Sequence, residues 1–307
     1  MQVFLKGCAT PFSIKIMEEK KQITNKEAGA PEEEAGESMS FWDHLEVLRW
    51  AIFRIGIYMV VSFAVVFVSM PYIFDQYILA PTSGDFFVYR WLDEISHGLL
   101  NFGGDFKVDI ININVTSQFM THISTSLYLA VVLAFPYIVF ELWRFIRPAL
   151  FDNELKNVKM AFMGGTLMFY LGCAVGYLLV FPFTFRFLTT YELSASIVNQ
   201  INLSSYIDNF IMLIMVMGIV FEMPLVAWLL SCLGLINKAM LKKYRRHAVA
   251  ILMVLAALIT PSGDPFTMML VFVPLYMLYE LSIKVVKKRQ SDDEDEEETS
   301  TALTTKD

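Results

Sequence analysis

The sequence predicts an all-α integral membrane protein with six transmembrane helices, both termini in the cytoplasm and a short last pair of helices. Of its 307 residues, 56% are hydrophobic, and the mean hydropathy is +0.51, which is typical of membrane proteins. The apolar residues are gathered in runs that match the roughly 20 residues needed to cross a bilayer. Lysine and arginine are concentrated in alternate loops, which sets the orientation of the spans.

The two ends of the chain are polar and differ from its middle. Residues 1–38 are Glu-rich and residues 290–307 contain an acidic run, so we predict disordered tails on either side of a membrane domain at 39–289. These tails account for the net charge of −7 and indicate no acidic or basic ligand, so we predict no nucleic-acid partner. The three cysteines indicate no disulfide framework.

The first membrane segment has an amphipathic lead-in. Residues 40–49 predict a short interfacial helix with its apolar positions on one face. Residues 50–73 predict the first span, in which Arg54 is expected to snorkel back to the interface. Residues 74–118 predict an exterior segment, where the alternation at 111–115 indicates a short strand or an extended cap.

The second span is predicted at 119–141, and the stretch that follows, 140–154, mixes aromatic and charged residues. Aromatic rings favour the membrane–water interface, and Arg144 marks the loop as cytoplasmic. Pro148 disfavours helix at the residue before it, so the backbone is expected to break there. An anchoring loop and a binding surface both fit this pattern.

The third span is predicted at 160–185 and the fourth at 207–235. Gly172 and Gly176 have the spacing that allows a second helix to approach closely. Glu222 is expected near the bilayer midplane, where a charged side chain costs roughly 2.5–3.5 kcal/mol. It therefore serves either a function or a structural hydrogen bond, beside a kink at Pro224.

The last hairpin is predicted to be short. Residues 248–259 supply only twelve apolar positions before a turn that contains Asp264, and residues 266–286 return to a basic group. Counted up to its cytoplasmic cations, each leg has roughly 15 residues, or ~22 Å of helix, which is shorter than a ~30 Å hydrocarbon core. The hairpin is either re-entrant or lies in a thinned bilayer.

The distribution of cations supports this topology. Three Lys and Arg residues fall in the predicted exterior loops, at 90, 107 and 186. Thirteen fall in the predicted cytoplasmic loops, at 144, 147, 156, 159, 238, 242, 243, 245, 246, 284, 287, 288 and 289. Six spans with both termini inside fit this asymmetry.

Several stretches, in register along this profile, resemble the TatC family, the integral receptor of the twin-arginine protein translocase. The resemblance runs from residue 41 to 286. The stretches that carry it are His44–Arg49, Ala80–Pro81, Phe145–Glu154, Gly172, Tyr177, Phe181–Pro182, Phe221–Pro224 and Thr260–Asp264.

The resemblance implies recognition of twin-arginine signal peptides on the cytoplasmic face. By similarity, Glu154 would pair with an arginine of the ligand, with Phe145 and Pro148 in the same patch. The first-helix stretch with Glu46 and Arg49 would complete that patch. Carboxylates bind guanidinium in a bidentate fork, and aromatic faces stack on it, so the chemistry is consistent.

The resemblance also implies the setting of the protein. It predicts a multi-pass protein of the bacterial inner membrane that exports folded proteins with the proton-motive force. It predicts TatA-type partners with a single span, a possible TatB-type partner and a homo-oligomer within the complex. Glu222 and Pro224 would meet a partner helix, whereas Asp264 and Pro81 would lie in periplasmic turns. No cofactor or enzymatic activity is implied, in line with the absence of a Gly-x-x-x-x-Gly-Lys loop.

The sequence departs from the family pattern in two places. Val47 occupies a position where the family usually has Glu, and either Glu46 or Asp43 is a candidate to replace that acid. Met268 stands where a polar residue often approaches the span-four carboxyl, so Thr267 or water becomes the expected partner of Glu222.

Two other function classes compete with this interpretation. An ion-coupled transporter would use Glu222 as a proton relay, and it predicts an inverted repeat that is not visible in the spans. An intramembrane enzyme would need a catalytic pair, and no His or Ser lies near Glu222 in sequence.

Overall fold

The structure, a computed structural model, describes residues 41–95, 106–146, 155–194, 199–232, 234–260 and 263–286. The tails predicted to be disordered lie outside these ranges and remain predictions. The chain divides into two compact units, Met1–Leu48 and Arg49–Asp307. The described residues of the first unit are helical.

Helices make up most of the described chain, which confirms the predicted helical class. In order they are α1 (Phe41–Ile73), α2 (Phe87–Ile95), α3 (Ser117–Ile146), α4 (Leu155–Val175), α5 (Phe181–Thr190), α6 (Leu203–Val220), α7 (Met223–Cys232), α8 (Lys238–Lys243), α9 (Arg245–Ile259) and α10 (Pro265–Val285). The π-helical segments Phe74–Ile78 and Gly176–Val180 continue α1 and α4, and Ala80–Thr82 forms a 3-10 turn.

Five helical stretches of the described chain are long and apolar enough to cross a membrane: Leu45–Thr82, Ser117–Phe145, Phe162–Thr190, Leu203–Cys232 and Pro265–Val285. The remaining predicted span, the fifth in chain order at 248–259, corresponds to α9. Its 15 residues extend about 22 Å, less than a hydrocarbon core of about 30 Å. The count of six spans and the location of the termini therefore stay predictions.

The last helix coincides with the predicted segment 266–286 to within one residue at each end, but it is not short. α10 has 21 residues, or about 31 Å of helix. Pro265 occupies its first turn, where a missing N–H costs nothing, and the helix continues past Glu280 because Ile283 is still buried. The prediction of two short helices is correct for α9 and wrong for α10.

The first span and its lead-in form one helix. α1 runs without interruption from Phe41 to Ile73 and joins the two predicted segments. Of an 18-residue apolar stretch in this span, 17% is buried, compared with 44% in span four. Span one is therefore the least enclosed of the five and span four the most.

Of the two alternatives for residues 111–115, the structure has a short strand, but only residue 111 of that range lies in it. β1 (Ile110–Ile111) pairs in parallel with β2 (Ile201–Asn202), just before α6 begins. Asn202 then caps α6, because its side chain accepts a hydrogen bond from the backbone N–H of Ser204. This pair fixes the segment after span one beside the segment after span three.

Spans three and four approach each other closely at the predicted glycines. A Cβ atom at Gly172 would lie 2.6 Å from the carbonyl oxygen of Met217, and one at Gly176 would lie 3.0 Å from the Cα of Ile214. A side chain at either position would displace α6, so the predicted close approach is confirmed.

Candidate functional site

The structure describes part of the predicted binding patch at the end of α3. Phe145 lies one residue before the end of that helix and is half-buried. Glu154 and Pro148 lie outside the described residues, so the backbone break and the acid that follows it stay predictions. On α1, Glu46 and Arg49 are both exposed, and the Arg49 guanidinium lies 5.6 Å from the centre of the Trp50 ring.

One turn before Phe145, the structure reveals an ion pair that the sequence reasoning missed. Arg54 on α1 donates from Nε and a terminal nitrogen to the two carboxylate oxygens of Glu141 on α3, each at 2.8 Å. The Glu141 side chain is 2% exposed and that of Arg54 34%. The expectation that Arg54 snorkels to the interface is therefore wrong, because a buried carboxylate lies within reach.

Aromatic contacts extend this connection between α1 and α3. The Tyr137 hydroxyl donates to Glu141 Oε1 at 3.0 Å, and the Tyr137 ring stacks on Tyr58 with centroids 4.6 Å apart. Further along, the ring of His122 stacks on Phe67 with centroids 4.1 Å apart. Along these three contacts the residue numbers increase in α1 and decrease in α3, so the two helices are antiparallel. Specific side-chain contacts hold them together.

A signal for the ion pair was present in the sequence. Arg54 and Glu141 are opposite charges inside two consecutive apolar runs, each near the predicted cytoplasmic end. Charged residues inside membrane segments usually pair with one another. Comparing their depths would have predicted the contact.

Span four is interrupted at Glu222, as the sequence predicts. α6 ends at Val220, and α7 begins at Met223 after a turn of two residues. Pro224 has no N–H to donate to the carbonyl one turn upstream, which accounts for the break. The kink and the Glu222 carboxyl group therefore lie at the same point of span four.

The Glu222 carboxyl lies against span three. A Cβ atom at Gly165 would come within 2.9 Å of Glu222 Oε2, so the glycine leaves room for this group. Oε1 is buried and has no hydrogen-bond partner among the described residues. The expected partner Thr267 is excluded, because its hydroxyl donates to Asp264 Oδ2 instead.

The two residues predicted in exterior turns have structural roles. Asp264 is the N-cap of α10, since its Oδ1 accepts the backbone N–H of Thr267 at 2.7 Å. Pro81 is buried in the 3-10 turn after α1. The Tyr89 hydroxyl lies 3.3 Å from the carbonyl oxygen of Pro81 and 3.1 Å from that of Pro182, and burial raises the pKa of this phenol.

The chain matches known proteins over most of its length. The family model for TatC, described as Sec-independent protein translocase protein, matches residues 43–274. A TatC protein of Blattabacterium is 35% identical over 253 residues, which is 80% of this chain and 94% of that protein. A TatC protein of Campylobacter jejuni is 31% identical and covers 80% of this chain and 92% of its own length.

Solved structures agree with the sequence relatives. A crystal structure of the twin arginine translocase receptor TatC superimposes with a TM-score of 0.62 at 28% identity. It covers 79% of this chain and 97% of that one. A second crystal structure of this receptor has a TM-score of 0.63.

These matches decide between the function classes. TatC proteins are components of a protein translocase, so the chain is a membrane transport protein and not an enzyme, and the alternative of a small-molecule transporter is set aside. With five apolar spanning helices and a family model that matches most of its length, this chain belongs to the TatC family of Sec-independent protein translocase proteins.

Proposed function

We propose that this chain is the receptor of a twin-arginine translocase. It binds twin-arginine signal peptides at the cytoplasmic surface of the bacterial inner membrane. Together with single-span TatA-type partners, and with a TatB-type partner where one exists, it passes folded proteins across with the proton-motive force. The observation that carries the proposal is the family match over residues 43–274, a range that includes residues 145–154.

The chemistry of that stretch fits an arginine-bearing ligand. Phe145 stands in the last turn of α3 with its ring half-buried, and a ring in such a place can stack on a guanidinium plane. Glu154 supplies a carboxylate that a guanidinium binds in a bidentate fork. A lysine ammonium is not planar and cannot donate two parallel hydrogen bonds to one carboxylate. A twin-lysine peptide therefore lacks both the stacking contact and the bidentate contact.

Photo-crosslinking tests the recognition step. With a photoreactive group beside the paired arginines of the peptide and the protein otherwise wild type, crosslinks are expected at Phe145 and Glu154, and with a twin-lysine peptide at neither. Phe266 and Glu192, an exposed ring and an exposed acid near the other end of the spans, are the matched control positions. Equal labelling by the two peptides would contradict arginine recognition.

We further propose that α9 is a sixth, short span, so that both termini lie in the cytoplasm. The cations of α8 and the start of α9 anchor one end of it, and its 15 residues favour a locally thinned bilayer. The Glu222 carboxyl beside the Pro224 break then offers a TatA-type helix a polar contact inside the membrane.

Cysteine labelling checks this orientation. In a protein whose native cysteines are replaced, cysteine at Lys107 is expected to react with a membrane-impermeant maleimide added outside intact cells. Cysteine at Lys243 is expected to react only after the membrane is opened. Both side chains belong to segments between apolar stretches, so outside labelling of Lys243→Cys would overturn the six-span arrangement.

A further inference from the structure

A polar cavity lies between the end of span one and the start of span two. Its volume is about 410 Å³. Its polar lining consists of Asp75, Asn112, Gln118, Thr121 and His122, and its apolar lining includes Met70, Phe74, Leu79, Ile110 and Leu203. A lining that contains both polar and apolar residues suits an amphipathic ligand.

The cavity holds an acid without a partner. Asp75 is exposed, and the structure gives its carboxylate no ion pair or hydrogen bond among the residues it describes. The other polar lining groups are amides, a hydroxyl and the His122 ring. Nε2 of that ring lies 3.0 Å from the carbonyl oxygen of Phe67, and because a carbonyl only accepts, Nε2 carries the proton. No Lys or Arg is among the lining residues in the described chain.

The position of this acid calls for a cation. Asp75 lies two residues past the end of α1, in the segment predicted to be exterior, and no cationic side chain lines the cavity beside it among the described residues. A primary ammonium has three N–H donors and a positive charge. Asp75 can accept one as a charge-assisted hydrogen bond, and the side-chain oxygens of Asn112, Gln118 or Thr121 can accept the others.

The depth of the cavity in the membrane indicates which kind of molecule supplies the ammonium group. Asp75 is two residues past the end of α1, and His122 lies in the second turn of α3. In the proposed topology this is the outer membrane–water interface, where phospholipid headgroups lie. The apolar part of the lining, Met70 and Phe74 among it, can then contact the glycerol and the upper acyl chain.

We propose that this cavity binds a phospholipid with a primary ammonium headgroup, with Asp75 as the residue that recognises it. The inference goes beyond signal-peptide recognition. It uses the proposed topology only to assign the outer leaflet. Lipid binding is measured on the protein without cargo, so failure of the lipid test and failure of the crosslinking test are distinguishable.

Native mass spectrometry of the purified protein tests the site. The protein is taken from nanodiscs that contain equal amounts of phosphatidylethanolamine, phosphatidylcholine and phosphatidylglycerol. We expect preferential retention of phosphatidylethanolamine by the wild-type protein. Asp75→Asn should lower that retention about tenfold, the factor that corresponds to about 1.4 kcal/mol, and Asp75→Glu should restore most of it.

Asp208→Asn is the matched control. Asp208 is also exposed, also lies within an apolar spanning stretch, and does not line the cavity, so its replacement should leave lipid retention unchanged. Thermal unfolding of each variant verifies that it is folded. Equal retention by wild type and Asp75→Asn, or no preference among the three lipids, would overturn the proposal. Loss of the lipid preference on addition of free ethanolamine, with the amine retained instead, would assign a soluble amine and overturn the lipid.

Discussion

Replacing Arg54 with Leu is expected to lower the free energy of unfolding by more than the ~1 kcal/mol typical of an exposed ion pair, because it leaves the Glu141 carboxylate, 2% exposed, without its cationic partner. The two 2.8 Å hydrogen bonds are lost together, which leaves the Tyr137 hydroxyl as the one hydrogen-bond donor to that carboxylate among the described residues. Unfolding of the detergent-solubilised protein, followed by helical signal against denaturant, measures the loss.

The chain contains a matched control for this pair. Arg245 donates to Glu280 at 2.9 Å, and the Tyr276 hydroxyl donates to the same carboxylate at 3.1 Å. This pair is more exposed, with 48% of the Arg245 and 29% of the Glu280 side chain accessible. Arg245→Leu should therefore cost about 1 kcal/mol or less.

A second variant isolates the buried charge. Changing Arg54 and Glu141 together to Leu removes the charge along with its partner, and apolar pairs commonly replace buried ion pairs at little cost. The double variant should therefore be more stable than Arg54→Leu alone. Equal losses for Arg54→Leu and Arg245→Leu, or no recovery in the double variant, would contradict the assigned role of burial.

Gly172→Ala is expected to destabilise the protein by about 2 kcal/mol, which is the usual cost of overpacking a close contact. The added methyl would lie 2.6 Å from the carbonyl oxygen of Met217 and 2.7 Å from the Cβ of Phe221. Neither atom is the end of a flexible side chain, so α4 and α6 must separate. The same denaturant measurement gives the change in unfolding free energy.

Gly164→Ala, in the same helix, is the control. An added Cβ there meets nothing within 4 Å, and alanine favours helix over glycine by up to about 1 kcal/mol. The two substitutions should therefore change the unfolding free energy in opposite directions. A stabilising Gly172→Ala would show that spans three and four do not depend on this contact.

Much of the fold was predictable because the relevant signals are local in sequence. Runs of apolar residues predicted all five of the stretches that are long enough to cross a membrane, and the interruption of span four follows from Pro224. The Gly172 and Gly176 spacing predicted the close approach. The turn before α10 and the extent of that helix were also predicted, whereas its description as short was wrong, because the residues past Glu280 continue the helix.

The candidate site was less predictable, because its contacts depend on how the helices are rotated and at which depth they meet. The residues of the family motif could be identified one by one, but which of them touch is a matter of packing. Asp264 was predicted in a turn. Only the fold shows that the Thr267 hydroxyl donates its hydrogen bond to Asp264 and not to Glu222.

By itself, the sequence determined the membrane class, the positions of most spans and the TatC family, since apolar run length and short motifs are properties of neighbouring residues. The tertiary structure alone decided that Arg54 reaches Glu141, 87 residues away, and that Gly165 faces the Glu222 carboxyl. It also decided that Asp75 shares a cavity with His122. Such contacts join residues from different helices, and the rotation and depth that bring them together are fixed only when the helices pack.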